Sequence, residues 1–90
     1  MEEKCPVRNP DIVARREKKE ALLFNPADGH MLCINGTGMF VWDLCDGSSS
    51  GDDIVEKIAN VYEITCEKAT EDYDRFIKDM EKAGFIGYRT

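Results

Sequence analysis

The chain has 90 residues, enough for one small domain with a single core, and 42% of them are hydrophobic and 33% charged, with both signs present. Its net charge of −6 and pI near 4.7 speak against general affinity for nucleic acid or anionic membranes, which depends on Lys and Arg meeting phosphates. No apolar run approaches the roughly 20 residues of a membrane span, and the opening MEEKCPVRNP lacks the basic start and apolar core of a signal peptide. A cytoplasmic location is therefore expected, with Cys5, Cys33, Cys45 and Cys66 as free thiols.

Residues 1–10 are polar, carry Pro6 and Pro10, and are expected to form a flexible arm ahead of a single domain over 11–90. DIVARRE (11–17) reads as a strand, Lys18-Lys19 as a tight turn, and EALLFN (20–25) as a second strand. Asn25-Pro26-Ala27-Asp28-Gly29 then supplies turn chemistry: Pro fixes φ, while Asp and Gly tolerate the bend. His30–Ile34 is a third strand, in which Leu32 and Ile34 alternate with Met31 and Cys33. Connections this short predict an antiparallel meander.

Helices follow. Asn35-Gly36-Thr37-Gly38 leaves the third strand, with glycines to turn the backbone and with Asn35 and Thr37 able to accept hydrogen bonds from a helix's first N–H groups. The first helix is expected over 37–46, with Gly47 just past its end. Ser50 and Asp53 are spaced as a capping pair for a second helix that runs to Tyr62, with Ile54, Val55, Ile58 and Tyr62 on one face. A third helix spans 70–83, buries Tyr73, Phe76, Ile77 and Met80, and stops at Gly84. Residues 85–88 return as a short strand. The fold class is α+β, close to a winged helix-turn-helix: an N-terminal three-stranded antiparallel sheet, then three helices.

Candidate chemistry is sparse. His30 is the single histidine and has no sequence neighbours arranged as a catalytic pair, so an enzyme is not expected. The cysteines lack the close pairing of structural zinc sites, so no metal or other cofactor is expected, although a cysteine-based metal module is a further option that bound zinc would support. Cys45 reads as a small buried group, Cys33 as partly exposed, and Trp42 as a core or edge-packed ring. On the third helix Arg75, Lys78 and Lys82 share a face, as a DNA-reading helix would require. Asp72, Asp74, Asp79 and Glu81 interleave with them, which favours a solvated face with pairs such as Arg75–Asp79. The third strand, HMLCI, carries no Lys, Glu or Pro to guard an edge, so it suits the addition of an extended peptide.

Several short motifs run along the chain in a fixed order: Asn25-Pro26 with Gly29, Ile34-Asn35, Thr37-Gly38, Val41-Trp42, Asp46-Gly47, Asp53-Ile54, Asp72-Tyr73, Phe76-Ile77 and Gly84-Phe85-Ile86. In that order and spacing, from about Asp11 to about Gly87, the chain resembles the PqqD-like family of peptide-recognition domains. The resemblance implies a non-catalytic chaperone that holds the leader segment of a ribosomally made precursor peptide and presents it to a modifying enzyme, commonly of the radical SAM type. It implies a leader strand antiparallel to the third strand, against Met31, Leu32, Cys33 and Ile34, in a groove bounded on the third helix by Asp72, Arg75, Phe76 and Asp79. Frequent cysteine and the small polar loop at 48–51 depart from the family's plainest form. They leave open whether the pathway is quinone-cofactor synthesis or another peptide product, with another peptide pathway favoured. The alternative from another class is a small winged helix-turn-helix DNA-binding regulator. An open strand edge also predicts a homodimer.

Overall fold

The computed structural model describes residues 4–89, Arg89 by its backbone alone. Its elements are β1 (Cys5–Arg8), β2 (Val13–Arg16), β3 (Glu20–Asn25), β4 (His30–Asn35), α1 (Thr37–Leu44), α2 (Gly51–Tyr62), α3 (Cys66–Lys82) and β5 (Ile86–Arg89). β2, β3 and β4 form an antiparallel meander with β3 in the centre, so the expected α+β class and strand order hold. Alternation along β3 is clean: Ala21, Leu23 and Asn25 are buried, while Leu22 and Phe24 lie on the outer face. The register sets Ile34 opposite Ala21 and Leu32 opposite Leu23, placing the apolar half of β4 on the same inner face.

The helices cover that face. Val41, Trp42 and Cys45 of the α1 region join Ile54 and Ile58 of α2, Ala69, Tyr73, Ile77 and Met80 of α3, and Phe85 beyond it. The Ser50–Asp53 capping box forms as the sequence predicts: the Ser50 hydroxyl accepts from Asp53 N at 3.2 Å and the Asp53 carboxylate accepts from Ser50 N at 3.4 Å. α3 ends in a Schellman arrangement at Gly84, whose φ is +78°. Phe85 N donates to Met80 O at 2.9 Å and Gly84 N to Glu81 O at 3.1 Å.

Three expectations need correction. The segment expected to be a flexible arm contains β1, which pairs antiparallel with β5; residues 1–3 lie outside the described residues. β1 is fastened further by Arg8 N to Cys45 O (2.8 Å), Gly47 N to Pro6 O (3.0 Å) and Asn9 N to Phe85 O (2.9 Å). α1 is not capped by Asn35 or Thr37: its N-cap is Gly36, at φ 48°, with no side-chain cap, and the helix ends at Leu44 rather than 46. α3 starts a turn earlier than expected, because the Thr65 hydroxyl caps it by accepting from Lys68 N.

Candidate functional site

β2 and β4 are the two edges of the meander, and β4 is the one that faces α3 across a groove of about 460 Å³. Register and turn geometry fix which backbone groups this edge offers. The Lys18-Lys19 turn is closed by Glu17 N donating to Glu20 O at 2.8 Å. Hydrogen-bonded pairs alternate along an antiparallel ladder, so Arg15–Leu22 and Val13–Phe24 bond across β2 and β3. Ala21, Leu23 and Asn25 are left to bond Ile34, Leu32 and His30. The N–H and C=O groups of Met31, Cys33 and Asn35 therefore point away from the sheet, along an edge where an added strand would find them.

The groove floor is apolar and its rim charged. Leu32 and Ile34 come from β4 and Phe76 and Met80 from α3, with Thr37 and Gly38 closing the end at α1. Gly38 packs closely there: a Cβ on it would stand 3.1 Å from the Phe76 ring and 3.4 Å from Ile34, so the ring would have to give by a few tenths of an ångström. Asp72, Arg75 and Asp79 form the α3 rim. The groove continues past Leu32 and Asp79 to His30, Lys82 and Ala83, where the His30 ring stands edge-on to Phe85 at 6.1 Å.

Of the eight residues singled out in the sequence, Leu32, Cys33, Ile34, Asp72, Arg75, Phe76 and Asp79 line this one groove. Met31 does not line it. Its side chain lies on the outer face of the sheet, paired with Phe24 and 54% exposed, and only its backbone belongs to the edge. The Cys33 thiol lies on the same outer face, where it donates to Glu20 Oε2 at 3.5 Å, so Cys33 meets the groove through its backbone. That hydrogen bond, with smaller effects of burial and of the carboxylate's charge, holds its pKa above the usual range and so works against a reactive thiolate. The expected Arg75–Asp79 ion pair does not form. Among the described residues the ion pair on α3 is Lys68–Asp72, at 3.1 Å.

Asn35, Thr37, Gly38 and Met80 line the groove without having been singled out for it. The signal for Gly38 was its place in the strand-to-helix turn, but its packing against Phe76 is visible only in three dimensions. Among the described residues there is no group of three or more His, Cys, Asp or Glu able to hold a metal, and no helix is long and apolar enough to cross a membrane.

Residues 20–86 match the sequence profile of the family described as coenzyme PQQ synthesis protein D (PqqD). Among solved structures the chain is similar to TbiB1 in complex with the TbiA(beta) leader peptide, with a TM-score of 0.80 and 18% identity over 93% of this chain and 99% of that one. It is also similar to a lasso peptide synthetase B1 complexed with the leader peptide, with a TM-score of 0.77 and 20% identity over 92% of this chain and 98% of that one. At these identities the likeness establishes a shared fold. No curated protein sequence matches the chain.

Proposed function

The chain belongs to the PqqD family, and we propose that it is a non-catalytic chaperone that binds the leader segment of a ribosomally made precursor peptide by strand addition to β4. The observation that carries this reading is the unguarded β4 edge, with the outward groups of Met31, Cys33 and Asn35 beside an apolar groove. Backbone pairing supplies affinity, and the groove between β4 and α3 supplies the choice of side chains. Two proteins of the same fold are seen with leader peptides, which supports the same class of partner here. The bound precursor is presented to a modifying enzyme of the radical SAM type, which brings the chemistry. Without peptide, the same edge pairs with a second copy, giving a homodimer that leader peptide dissociates.

The DNA-binding alternative is disfavoured by the net charge of −6 and by Asp72, Asp74, Asp79 and Glu81 on α3. The test is an NMR titration of labelled protein with the leader of a candidate precursor peptide. Shifts concentrated at residues 30–35 and 72–82 are expected. Shifts from duplex DNA and none from leader would overturn the reading.

A further inference from the structure

We propose that the groove selects an acidic-x-basic pair in the bound peptide, read from its N- to its C-terminus, with Arg75 meeting the acidic side chain and Asp79 the basic one. This inference rests on the strand-addition reading and specifies the peptide that such a groove accepts.

Direction comes first. α3 runs antiparallel to β4: Ile34 and Phe76 meet around Gly38 at one end, while His30 lies with Lys82 and Ala83 at the other. A strand added antiparallel to β4 therefore runs parallel to α3. Directly opposed residues of an antiparallel pair share a face, so the peptide side chains that enter the groove are those opposite Ile34 and Leu32. Ile34 lies at the level of Phe76, beside Arg75. Leu32 borders both stretches of the groove, as Asp79 does.

Spacing comes next. Arg75 and Asp79 are four residues apart on a helix, about 6 Å along its axis. Two residues of a strand advance about 6.8 Å, so successive inward side chains reach successive rim charges. Those charges are available: Arg75 and Asp79 are exposed, and among the described residues neither has an opposite charge within 4.0 Å. Asp72, by contrast, is held by Lys68. The aliphatic stem of a Glu or Lys side chain would rest on Leu32 and Phe76 while its head reaches the rim. Rim charges of this kind orient a partner more than they hold it.

Two capped synthetic peptides test the proposal, Thr-Val-Glu-Val-Lys-Val-Thr and its charge-exchanged form Thr-Val-Lys-Val-Glu-Val-Thr, each titrated into labelled protein at low salt. The first is expected to bind about fivefold to tenfold more tightly, as two exposed ion pairs would give, with shifts at the Met31, Cys33 and Asn35 amides. The exchange variant R75D/D79R should reverse the preference. If that variant fails to fold, R75Q and D79N should each weaken it. Equal affinities with shifts at β4 would overturn the charge rule and leave strand addition standing, and so would a reversed preference in the unmodified protein. No shift at β4 from either peptide would reject strand addition and the rule with it.

Discussion

β2 and β4 are the two edges of one sheet, and they are finished in opposite ways. β2 is exposed at all four residues. Charges crowd it: Arg15 pairs with Glu17 at 3.7 Å, Arg16 pairs with Asp43 of α1, and Lys18-Lys19 form its turn. Such charges are how an edge is kept from pairing with another chain. β4 packs Ile34 and Leu32 against the core and carries no Asp, Glu, Lys or Arg. The contrast shows that an unguarded edge here is local. The same sheet carries the usual protection on its other side, so the bareness of β4 belongs with the groove beside it.

The largest expected difference between the two edges is in stability. Ile34 is 6% exposed and opposes Ala21, so Ile34→Ala should destabilise the domain by about 2–4 kcal/mol through lost burial and a cavity. Val13, 55% exposed on β2, should tolerate Ala within about 0.5 kcal/mol. Urea titrations of the two variants measure both. Comparable losses would mean that β2 is as deeply anchored as β4.

The core also gives the fold a pH signature of its own. Burial pushes the Cys45 thiol from 9.0 up to about 12, with a nearby acid adding to the shift and Arg8 opposing it. Above pH 9 the unfolded chain releases a proton that the native state retains. The stability due to this group is therefore complete below pH 9 and declines toward pH 12, at about 1.4 kcal/mol per pH unit. Burial raises Tyr73 as well and adds to the same decline. Cys45→Ala should flatten the slope in denaturant melts taken from pH 8 to pH 11, and an unchanged slope would assign the decline to other groups.

Proline distinguishes the edges in binding. The alternation of ladder bonds leaves the N–H of Ala14 on β2 and of Cys33 on β4 pointing outward. Proline at either position spares the internal ladder, because only the outward donor is removed. Cys33→Pro should weaken leader binding by about tenfold or more, since a donor is lost and the ring stands where the added strand would lie. Ala14→Pro should leave affinity unchanged. Equal losses in a titration would show that the peptide is not docked on β4.

What the sequence made legible was local. EALLFN, the Asn25–Gly29 turn, the Ser50–Asp53 box and Gly84 each carry their geometry in neighbouring residues, and the structure has them where expected. The strand-and-helix pairing that makes the groove was legible only through family resemblance, because Leu32 and Phe76 are far apart in the chain. β1 was hidden for a related reason. A segment with Pro6 looks like a loop until β5, at the other end of the chain, accepts it as a partner. Arg8 is the polar key to that region: its guanidinium donates to the carbonyls of Trp42 at 2.8 Å and Asp43 at 3.0 Å, satisfying the end of α1. Nothing in its sequence neighbourhood announces that role.

The smallest expected effect concerns the tether that holds β2 down. Arg16 and Asp43 are each half exposed, so their ion pair is screened and Asp43→Ala should reduce stability by less than about 1 kcal/mol. Its consequence should be positional. With the tether gone, the β2 amides that bond to β3, those of Val13 and Arg15, should exchange with solvent faster, because a weakly packed edge opens locally without global unfolding. The amides of Leu32 and Ile34, which bond to β3 from the other side and rest on the core, should keep their protection. Hydrogen exchange followed by NMR separates the two sets residue by residue. If Leu32 and Ile34 speed up along with Val13 and Arg15, the two edges open as one unit, and the guarded strand is helping to hold the groove-bearing one in place.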